Sequence, residues 1–319
     1  MRDYVGIDIG GTNTKIALVD SLGKYSSLRR VYYGDRELSL ESFLEHVVAV
    51  VEDLINSKRE SIAGIGISSP GLQMENGHGT LISVNMPILN RFDLKQYFEA
   101  QFKLSVSVAN DLVAHSLTES FFGLGKGVER FLSVSLGTGI GHTFIYKGEP
   151  QLSFCGTSGD SGRMILDSNS AIIDPSGVSG SAEALCGVRA IEILAEKYYP
   201  GKQKFSAQEM ITKAREEKDA VAISIMTEIS HRLALLLVDL SAIYFPEVIS
   251  ITGGQTEAGS FFVEECQKEF DRRAASFFNE IGASCGKEQK IRIQKSESGG
   301  LAGLVGSIIP FLKSDKQGA

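Results

Sequence analysis

Apolar positions along the chain switch between the period-two alternation of half-buried strands and the three-to-four spacing of amphipathic helices. Tyr4–Ile9 and Lys15–Val19 read as strands. A helix follows from about Ser39 to Asn56, with Leu40, Phe43, Leu44, Val47, Val51, Leu54 and Ile55 on one face. Ser39 stands where an N-cap is wanted, but N3 is Ser42 and not Glu or Gln, so the full capping box is absent. Strands are then predicted at Ile62–Ile67 and Ser105–Ala109, and a helix at Leu112–Phe122. The pattern restarts with strands Phe131–Leu136 and Thr143–Tyr146. Helices Ala182–Tyr198, Asp219–Tyr244 and Glu257–Glu280 follow, with a strand at Val248–Thr252. Strand Lys290–Gln294 and helix Leu301–Leu312 close the pattern, and the polar tail Lys313–Ala319 is expected to fray. No low-complexity run or long linker separates the halves. The pattern therefore predicts two α/β domains sharing a cleft, the second built like the first.

Composition narrows the function classes. The chain has 319 residues, 43% hydrophobic and 22% charged, which is ordinary globular material with length for two domains. A net charge of −7 argues against a nucleic-acid surface. Cys155, Cys186, Cys266 and Cys285 are scattered without a C-x-x-C pair, as in a reducing, cytoplasmic setting. Met1-Arg2-Asp3 runs straight into a strand, so no signal peptide is expected. The best apolar helical stretch, Leu233–Ala242, is interrupted by Asp239 and reads as too short for a bilayer, so no membrane partner is expected.

Candidate chemistry begins at the first strand's end. Asp8 precedes the turn Gly10-Gly11-Thr12-Asn13, and Lys15 follows it. Adjacent glycines let backbone N–H groups aim into a concavity through positive φ, and Thr12, Asn13 and Lys15 add donors and charge, a combination suited to a polyanion such as nucleotide phosphates. Asp8 is placed to hold a hydrated metal ion beside them. Alone, such a turn is equally an ordinary hairpin, and it is neither a Walker A loop nor a Rossmann fingerprint. The unit recurs, however. Phe131–Leu136 ends in Gly137-Thr138-Gly139-Ile140-Gly141, and Val248–Thr252 runs into Gly253-Gly254.

Two phosphate-type hairpins and a later Gly-Gly turn resemble the actin, Hsp70 and sugar-kinase superfamily. The full motif set resembles the ROK family of bacterial sugar kinases. It comprises Gly6-Ile7-Asp8-Ile9-Gly10-Gly11-Thr12 with Lys15, Gly64-Ile65-Gly66-Ile67-Ser68-Ser69-Pro70-Gly71, and Asn85-Met86-Pro87. Val108-Ala109-Asn110-Asp111, Leu136-Gly137-Thr138-Gly139-Ile140-Gly141 and Ile251-Thr252-Gly253-Gly254 complete it, spanning nearly the whole chain. The resemblance implies two ribonuclease H-like (actin-like ATPase) α/β domains flanking an active-site cleft. Residues 1–115 with 299–319 would form the smaller N-terminal domain and 116–298 the larger one. It implies ATP and Mg²⁺ as cofactors, a sugar as the small-molecule partner, a cytoplasmic setting, and the homodimers that related kinases often form.

Under that resemblance Asp111 is the general base that deprotonates the attacking sugar hydroxyl, most simply O6. Position alone equally suits a helix N-cap. Asn110, Asn85 and Gly71 would bind sugar or let the backbone approach it, with ordinary turn chemistry as the alternative for each. Gly10, Gly11, Thr12, Asn13, Lys15, Gly137, Thr138 and Gly139 would grip phosphates. Asp8 would orient Mg²⁺ through water, and Gly253 and Gly254 would pass under the adenosine.

The chain departs from the family at its sugar-binding segment. The usual A-G-E-x-G-H run is Ser158-Gly159-Asp160-Ser161-Gly162-Arg163 here. The run corresponding to the zinc motif C-x-C-G-x-x-G-C-L-E is Asp174 to Glu183, with all three cysteines gone. His and Cys ligands vanish together, so no zinc site is expected. Asp160 and Glu183 remain as acceptors for sugar hydroxyls. Arg163 would pair with Asp174 or Asp160 through its planar fork, recognise a charged or N-acetylated substituent, or be a plain surface residue. His142 stands where the family often has glycine, with no role assigned.

Three alternatives stay open. A non-enzymatic ROK sugar sensor would be expected to carry a DNA-binding segment ahead of the first hairpin. An N-acetylhexosamine kinase of BadF type is suggested by Gly159-Asp160-Ser161-Gly162. An actin- or Hsp70-like ATPase is disfavoured by the Asn110-Asp111 pair.

Overall fold

The computed structural model describes residues 2–33, 38–56, 61–137, 139–199, 201, 204–286 and 290–317. The chain divides into two compact units. Met1–Gly127, Gly148–Ser158 and Glu297–Ala319 form the first; Val128–Lys147 and Gly159–Ser296 form the second.

The first unit is built on a five-stranded sheet. β1 (Asp3–Ile9) and β2 (Asn13–Asp20) form an antiparallel hairpin with Asp8 opposite Lys15. β3 (Tyr25–Tyr32) adds an edge beyond β2. It is largely exposed and carries no apolar alternation, which is why the hydrophobic pattern misses it. Alternation along β1 sends Val5, Ile7 and Ile9 to one face, where they pack with Phe43, Val47, Val51 and Leu54 of α1 (Leu40–Asn56). β4 (Ile62–Ser69) runs parallel to β1. After it come the short ladder β5 (Leu72–Gln73) and β6 (Thr80–Ile82), then α2 (Leu94–Phe102), whose N-cap Asp93 accepts from Gln96 N–H. β7 (Val106–Asn110) pairs parallel with β4 and leads directly into α3 (Asp111–Phe122). The boundary expected between residues 115 and 116 falls inside α3, all of which lies in the first unit.

The second unit repeats the pairing scheme. β8 (Arg130–Leu136) and β9 (Ile140–Tyr146) form an antiparallel hairpin. β10 (Glu149–Pro150) lies in the segment that returns to the first unit. Helices α4 (Ala182–Cys186), α5 (Val188–Tyr198), α6 (Ala207–Thr212) and α7 (Ala220–Tyr244) follow. β11 (Val248–Thr252) pairs parallel with β8, α8 (Ser260–Ser284) comes next, and β12 (Arg292–Lys295) pairs parallel with β11. Two expected helices are interrupted by glycine. The Ala182–Tyr198 helix breaks at Gly187, whose ψ of −178° is extended. The helix expected from Glu257 starts as a 3₁₀ turn, and α8 begins only after Gly259, whose φ of +140° suits glycine alone. The stretch judged too short for a bilayer lies inside α7, whose 25 residues do reach that length and apolarity. Its Ile225, Ile229, Leu233, Leu236, Leu237 and Leu240 are buried in this unit's core.

The chain then returns to the first unit as α9 (Ala302–Gly306) and α10 (Ile309–Gln317). Leu304, Ile308 and Leu312 pack with Tyr4, Ala17 and Val19 on the sheet face opposite α1. The expected fraying of the tail is not found over Lys313–Gln317, through which α10 continues, and residues 318 and 319 lie outside the described ones. Buried Ile309 and Leu312 anchor it, and Tyr4 donates its hydroxyl to Asp315 at 2.8 Å.

Glycines set how close α9 comes. A Cβ on Gly6 of β1 would lie 2.6 Å from the Leu304 carbonyl oxygen, and one on Gly306 would lie 1.7 Å from the Ala114 oxygen of α3. Glycine to alanine inside a helix ordinarily stabilises by about 1 kcal/mol. Here backbone blocks the methyl, and overpacking of roughly 1–3 kcal/mol decides the sign. Gly306→Ala is expected to lower the urea midpoint; an unchanged or higher midpoint would show that α9 can shift.

Candidate active site

In the first unit the β1–β2 turn is closed by Gly10 N–H donating to the Asn13 carbonyl at 3.0 Å. Neither Gly10 nor Gly11 has the positive φ expected of them. What glycine provides there is room: a Cβ on Gly10 would sit 3.1 Å from the Asn13 oxygen, and one on Gly11 would sit 3.4 Å from the Asn85 oxygen. Thr12 is exposed, and the buried Asn13 Oδ1 has no hydrogen-bond partner. The geometry thus brings Asn85 beside the turn.

Asp8 is buried behind it. Its Oδ1 accepts from the Ser68 hydroxyl at 2.9 Å and its Oδ2 lies 3.2 Å from Lys15 Nζ. Lys15 also donates to the Gly300 carbonyl at 2.7 Å. Ser68 stands in the motif quoted above without a role; β1 and β4 pair in register there, which sets Asp8 directly beside it.

The helix cap, the alternative reading of Asp111, falls to its neighbour. Asn110 is the N-cap of α3, its Oδ1 accepting from Leu112 N–H at 3.0 Å and Val113 N–H at 3.3 Å. Its Nδ2 donates to the Gly71 carbonyl at 2.8 Å. Only one side-chain N–H is therefore free for a ligand. Gly71 has φ +93°, and a Cβ there would lie 2.3 Å from the Ile82 oxygen, so glycine is required. Asp111 is the first helical residue, with Oδ1 accepting from Leu112 N–H at 2.9 Å. Burial pushes its carboxyl up to about 6; the Leu112 N–H opposes the rise and the charge of Asp8 adds to it. His115, one turn on, was also missed, although the i, i+4 spacing puts it on the face of Asp111. A Cβ on Gly303 would lie 2.4 Å from Asp8 Oδ1 and 3.0 Å from His115 Nε2, so both crowd one point. Burial lowers the His115 pKa.

The second unit gathers the remaining residues. Gly137 N–H donates to the Gly139 carbonyl at 3.0 Å, and both glycines are exposed. Thr138 lies outside the described residues. Gly253, at φ +114°, would place a Cβ 2.1 Å from the Leu136 oxygen, so the late glycine turn abuts the end of β8. Gly254 opens onto free space. Glu183 is buried, with Oε2 accepting from Ile140 N–H at 3.0 Å, whereas Asp160 is exposed. Arg163 meets both of these carboxylates and Asp174. His142 bonds Tyr244 at 3.1 Å, and burial takes its pKa down to about 4, so it is neutral at pH 7.

Among the described residues no group of three His, Cys, Asp or Glu side chains is arranged to hold a metal. Asp8 and Asp111 do raise one another's energy as like charges, which a nearby cation would relieve.

The ROK family pattern matches residues 4–313. This chain belongs to the ROK family. A glucokinase of Halalkalibacterium halodurans is 25% identical over 289 residues, 86% of each chain. A protein provisionally named a xylose repressor, from Caldicellulosiruptor sp. strain Rt8B.4, is 27% identical over 285 residues, 85% of this chain and 70% of that one. The ROK glucokinase of Streptomyces griseus, solved with glucose and AMPPNP, superposes with a TM-score of 0.74 over 96% of this chain and 97% of that one at 22% identity. Each unit of this ROK protein accordingly has the ribonuclease H-like, actin-like ATPase fold.

The raised carboxyl of Asp111 has a stability signature. Its ordinary value is 3.8 and its folded value about 6, so folding disfavours the charged form. The penalty is absent below the unfolded pKa, grows across the window between the two values, and is constant above. Asp111→Asn is thus expected to raise the Tm of the metal-free protein at pH 8 and to leave it unchanged near pH 3.5. Equal Tm values for the two proteins at pH 8 would contradict this.

Proposed function

We propose that this ROK protein is a cytoplasmic kinase that transfers the γ-phosphoryl group of ATP to a hydroxyl, taken as O6, of an uncharged hexose or hexose derivative. The observation that carries the reading is Asp111: a carboxylate at the end of a β-strand, held by the helix start, with its pKa raised towards neutrality by burial and by Asp8. A base of that strength is matched to an alcohol proton at physiological pH. The likeness to a glucokinase of similar length, and to a fold solved with a sugar and an ATP analogue, supports it.

In this reading Asp111 accepts the hydroxyl proton as the sugar oxygen bonds to the γ-phosphorus and the bridging oxygen leaves with ADP. The backbone N–H groups of Gly10, Gly11, Thr12 and Asn13 would bind phosphate oxygens, and Gly137, Thr138 and Gly139 would do the same from the second unit. Lys15 has one ammonium N–H left after Asp8 and Gly300, so it orients Asp8 as much as it neutralises phosphate. Asp8 would hold Mg²⁺ through water, and the ion would offset phosphate charge. Gly253 and Gly254 would receive the adenosine. Gly71, Asn85, the free N–H of Asn110, Asp160 and Glu183 would take sugar hydroxyls. We also infer that the two compact units are the two domains of the kinase.

A second reading, a sugar-responsive regulator without turnover, is favoured by the repressor-named relative. ADP release with Mg·ATP decides between them, against glucose, mannose, fructose, allose, N-acetylglucosamine and N-acetylmannosamine. Turnover is expected on at least one sugar, with Asp111→Asn losing kcat by about 10²–10⁴-fold while still binding it. A near-wild-type kcat in that variant would remove Asp111 from its role. Sugar binding without any turnover in the wild type would favour the regulator.

A further inference from the structure

In the second unit one guanidinium meets three carboxylates. Arg163 Nη1 lies 2.8 Å from Asp174 Oδ2 and 3.1 Å from Glu183 Oε1, and Nε lies 3.3 Å from Asp160 Oδ2. The three acids differ in what else holds them. The Asp174 side chain has no solvent exposure. It accepts from the Ser176 N–H at 2.8 Å, the Ser176 hydroxyl at 2.6 Å, the Val178 N–H at 3.1 Å and the Ser181 hydroxyl at 2.6 Å. Burial opposes its charge, but the bonds from Ser176, Ser181 and Arg163 hold the carboxyl well below the usual range. It is a fixed anion. Glu183 is a bridge: Oε1 takes Arg163 and Oε2 takes the Ile140 N–H at the β8–β9 turn. A Cβ on Gly139 would lie 2.6 Å from that same Oε2. Asp160 keeps 61% of its side chain exposed and has oxygen lone pairs to offer.

We infer that Arg163 is a positioning residue for an uncharged polyhydroxy substrate: anchored on Asp174, its fork aims Glu183 and Asp160 as hydroxyl acceptors next to the β8–β9 turn. The inference rests on the kinase reading for the nature of the ligand. Two arguments carry it. A guanidinium presents its donors in a rigid plane, so Nη1 shared between Asp174 and Glu183 constrains the direction in which Nε meets Asp160, which a lysine ammonium cannot do. Charge supplies the second. One positive group against three negative ones leaves two negative charges, so the cluster accepts O–H donors and repels sugar acids and sugar phosphates. Nη1 and Nε of Arg163 are committed to carboxylates and the net charge around them is negative, so an anionic substituent, an option its sequence position had left open, meets repulsion there.

The test is titration calorimetry of sugar binding together with steady-state kinetics. It compares wild type, Arg163→Lys, Arg163→Met, Glu183→Gln and the double variant Arg163→Met/Glu183→Gln, each first shown to be folded by thermal unfolding. The probe is the panel sugar that wild type binds most tightly, with glucose 1-phosphate and N-sulfoglucosamine, whose charges lie away from O6, as anionic counterparts. Loss of an aimed charged acceptor is expected to raise the sugar Kd and KM by about tenfold or more in both Arg163 variants. At saturating sugar kcat should stay within about threefold, because the proton acceptor Asp111 is untouched. The double variant should bind within about twofold of Glu183→Gln alone, since Arg163 acts through Glu183. Both anionic sugars should bind at least about tenfold more weakly than the neutral one in wild type.

Wild-type affinity in Arg163→Met, independent multiplication of the two single effects, or tight binding of glucose 1-phosphate would each overturn the inference. If Arg163→Met does not fold, Arg163→Lys carries the same expectation, because it keeps the charge and loses the fork. Wild-type sugar binding without turnover would overturn the kinase reading alone and leave the calorimetry to decide on Arg163. No sugar binding by wild type would overturn both.

Discussion

The first unit depends on backbone-to-backbone contact between α9 and the elements beneath it. Gly6 and Gly66 on the sheet, and Gly303 and Gly306 on the helix, remove the side chains that would hold the layers apart. A helix normally packs on its neighbours through interleaved side chains, at interaxial distances of about 8–10 Å. Here main-chain atoms meet directly, with Gly66 against Ser307 and Gly306 against Ala114. The wedge this creates is where Asp8, His115 and the base of α3 are crowded together. Asp8 therefore sits in a dry, narrow place and depends on Ser68 and Lys15 for its partners. The charge of Asp8 in turn adds to the burial that raises the carboxyl of Asp111.

The two candidate groups of residues are built by opposite means. In the first unit, acids are confined with few counter-charges: among the described residues Lys15 alone pairs with Asp8, and it also donates to a main-chain carbonyl. In the second, Arg163 is surrounded by carboxylates, and the deepest of them is saturated with hydrogen bonds. Confinement without compensation suits a group that must take up a proton. Compensation suits groups that must remain charged while hydroxyls come and go. Buried ion pairs are weak evidence for net stability, so the Arg163 cluster is better understood as geometry than as glue.

Much of this was legible in the sequence, for identifiable reasons. Strands such as β1 and β8 are apolar on faces the fold buries, and α1 shows its core face residue by residue, so the hydrophobic period reports them. The glycine turns and the Asn110-Asp111 pair could be found because their chemistry is local. What escaped has a common physical cause, in that its signal is not local. β3 is held by pairing with β2 and has little to bury. Ser68 matters only through register with Asp8; His115 stands one turn from Asp111, but its place beside Asp8 shows only through Gly303, almost two hundred positions away. The breaks at Gly187 and Gly259 depend on backbone angles that a lone glycine permits but does not announce. Asn110 shows the converse. Both it and Asp111 are residues that cap helices, and only the positions of Leu112 and Val113 N–H reveal which one does.

The place of α9 and α10 in the chain bears on how the protein is made. Synthesis proceeds from the N-terminus at roughly 5–20 residues per second, and domains tend to fold as their residues emerge. The sheet of β1, β2 and β4 is translated first, but the helices that cover its second face come only after the entire second unit. Until they arrive, Tyr4, Ala17 and Val19 lack their covering partners Leu304, Ile308 and Leu312. The nascent first unit must therefore wait, half-covered, for about the time needed to translate everything between α3 and α9. Asp8 acquires its final surroundings only when the last helices dock, so the ground behind the β1–β2 turn is among the last parts of the molecule to be completed.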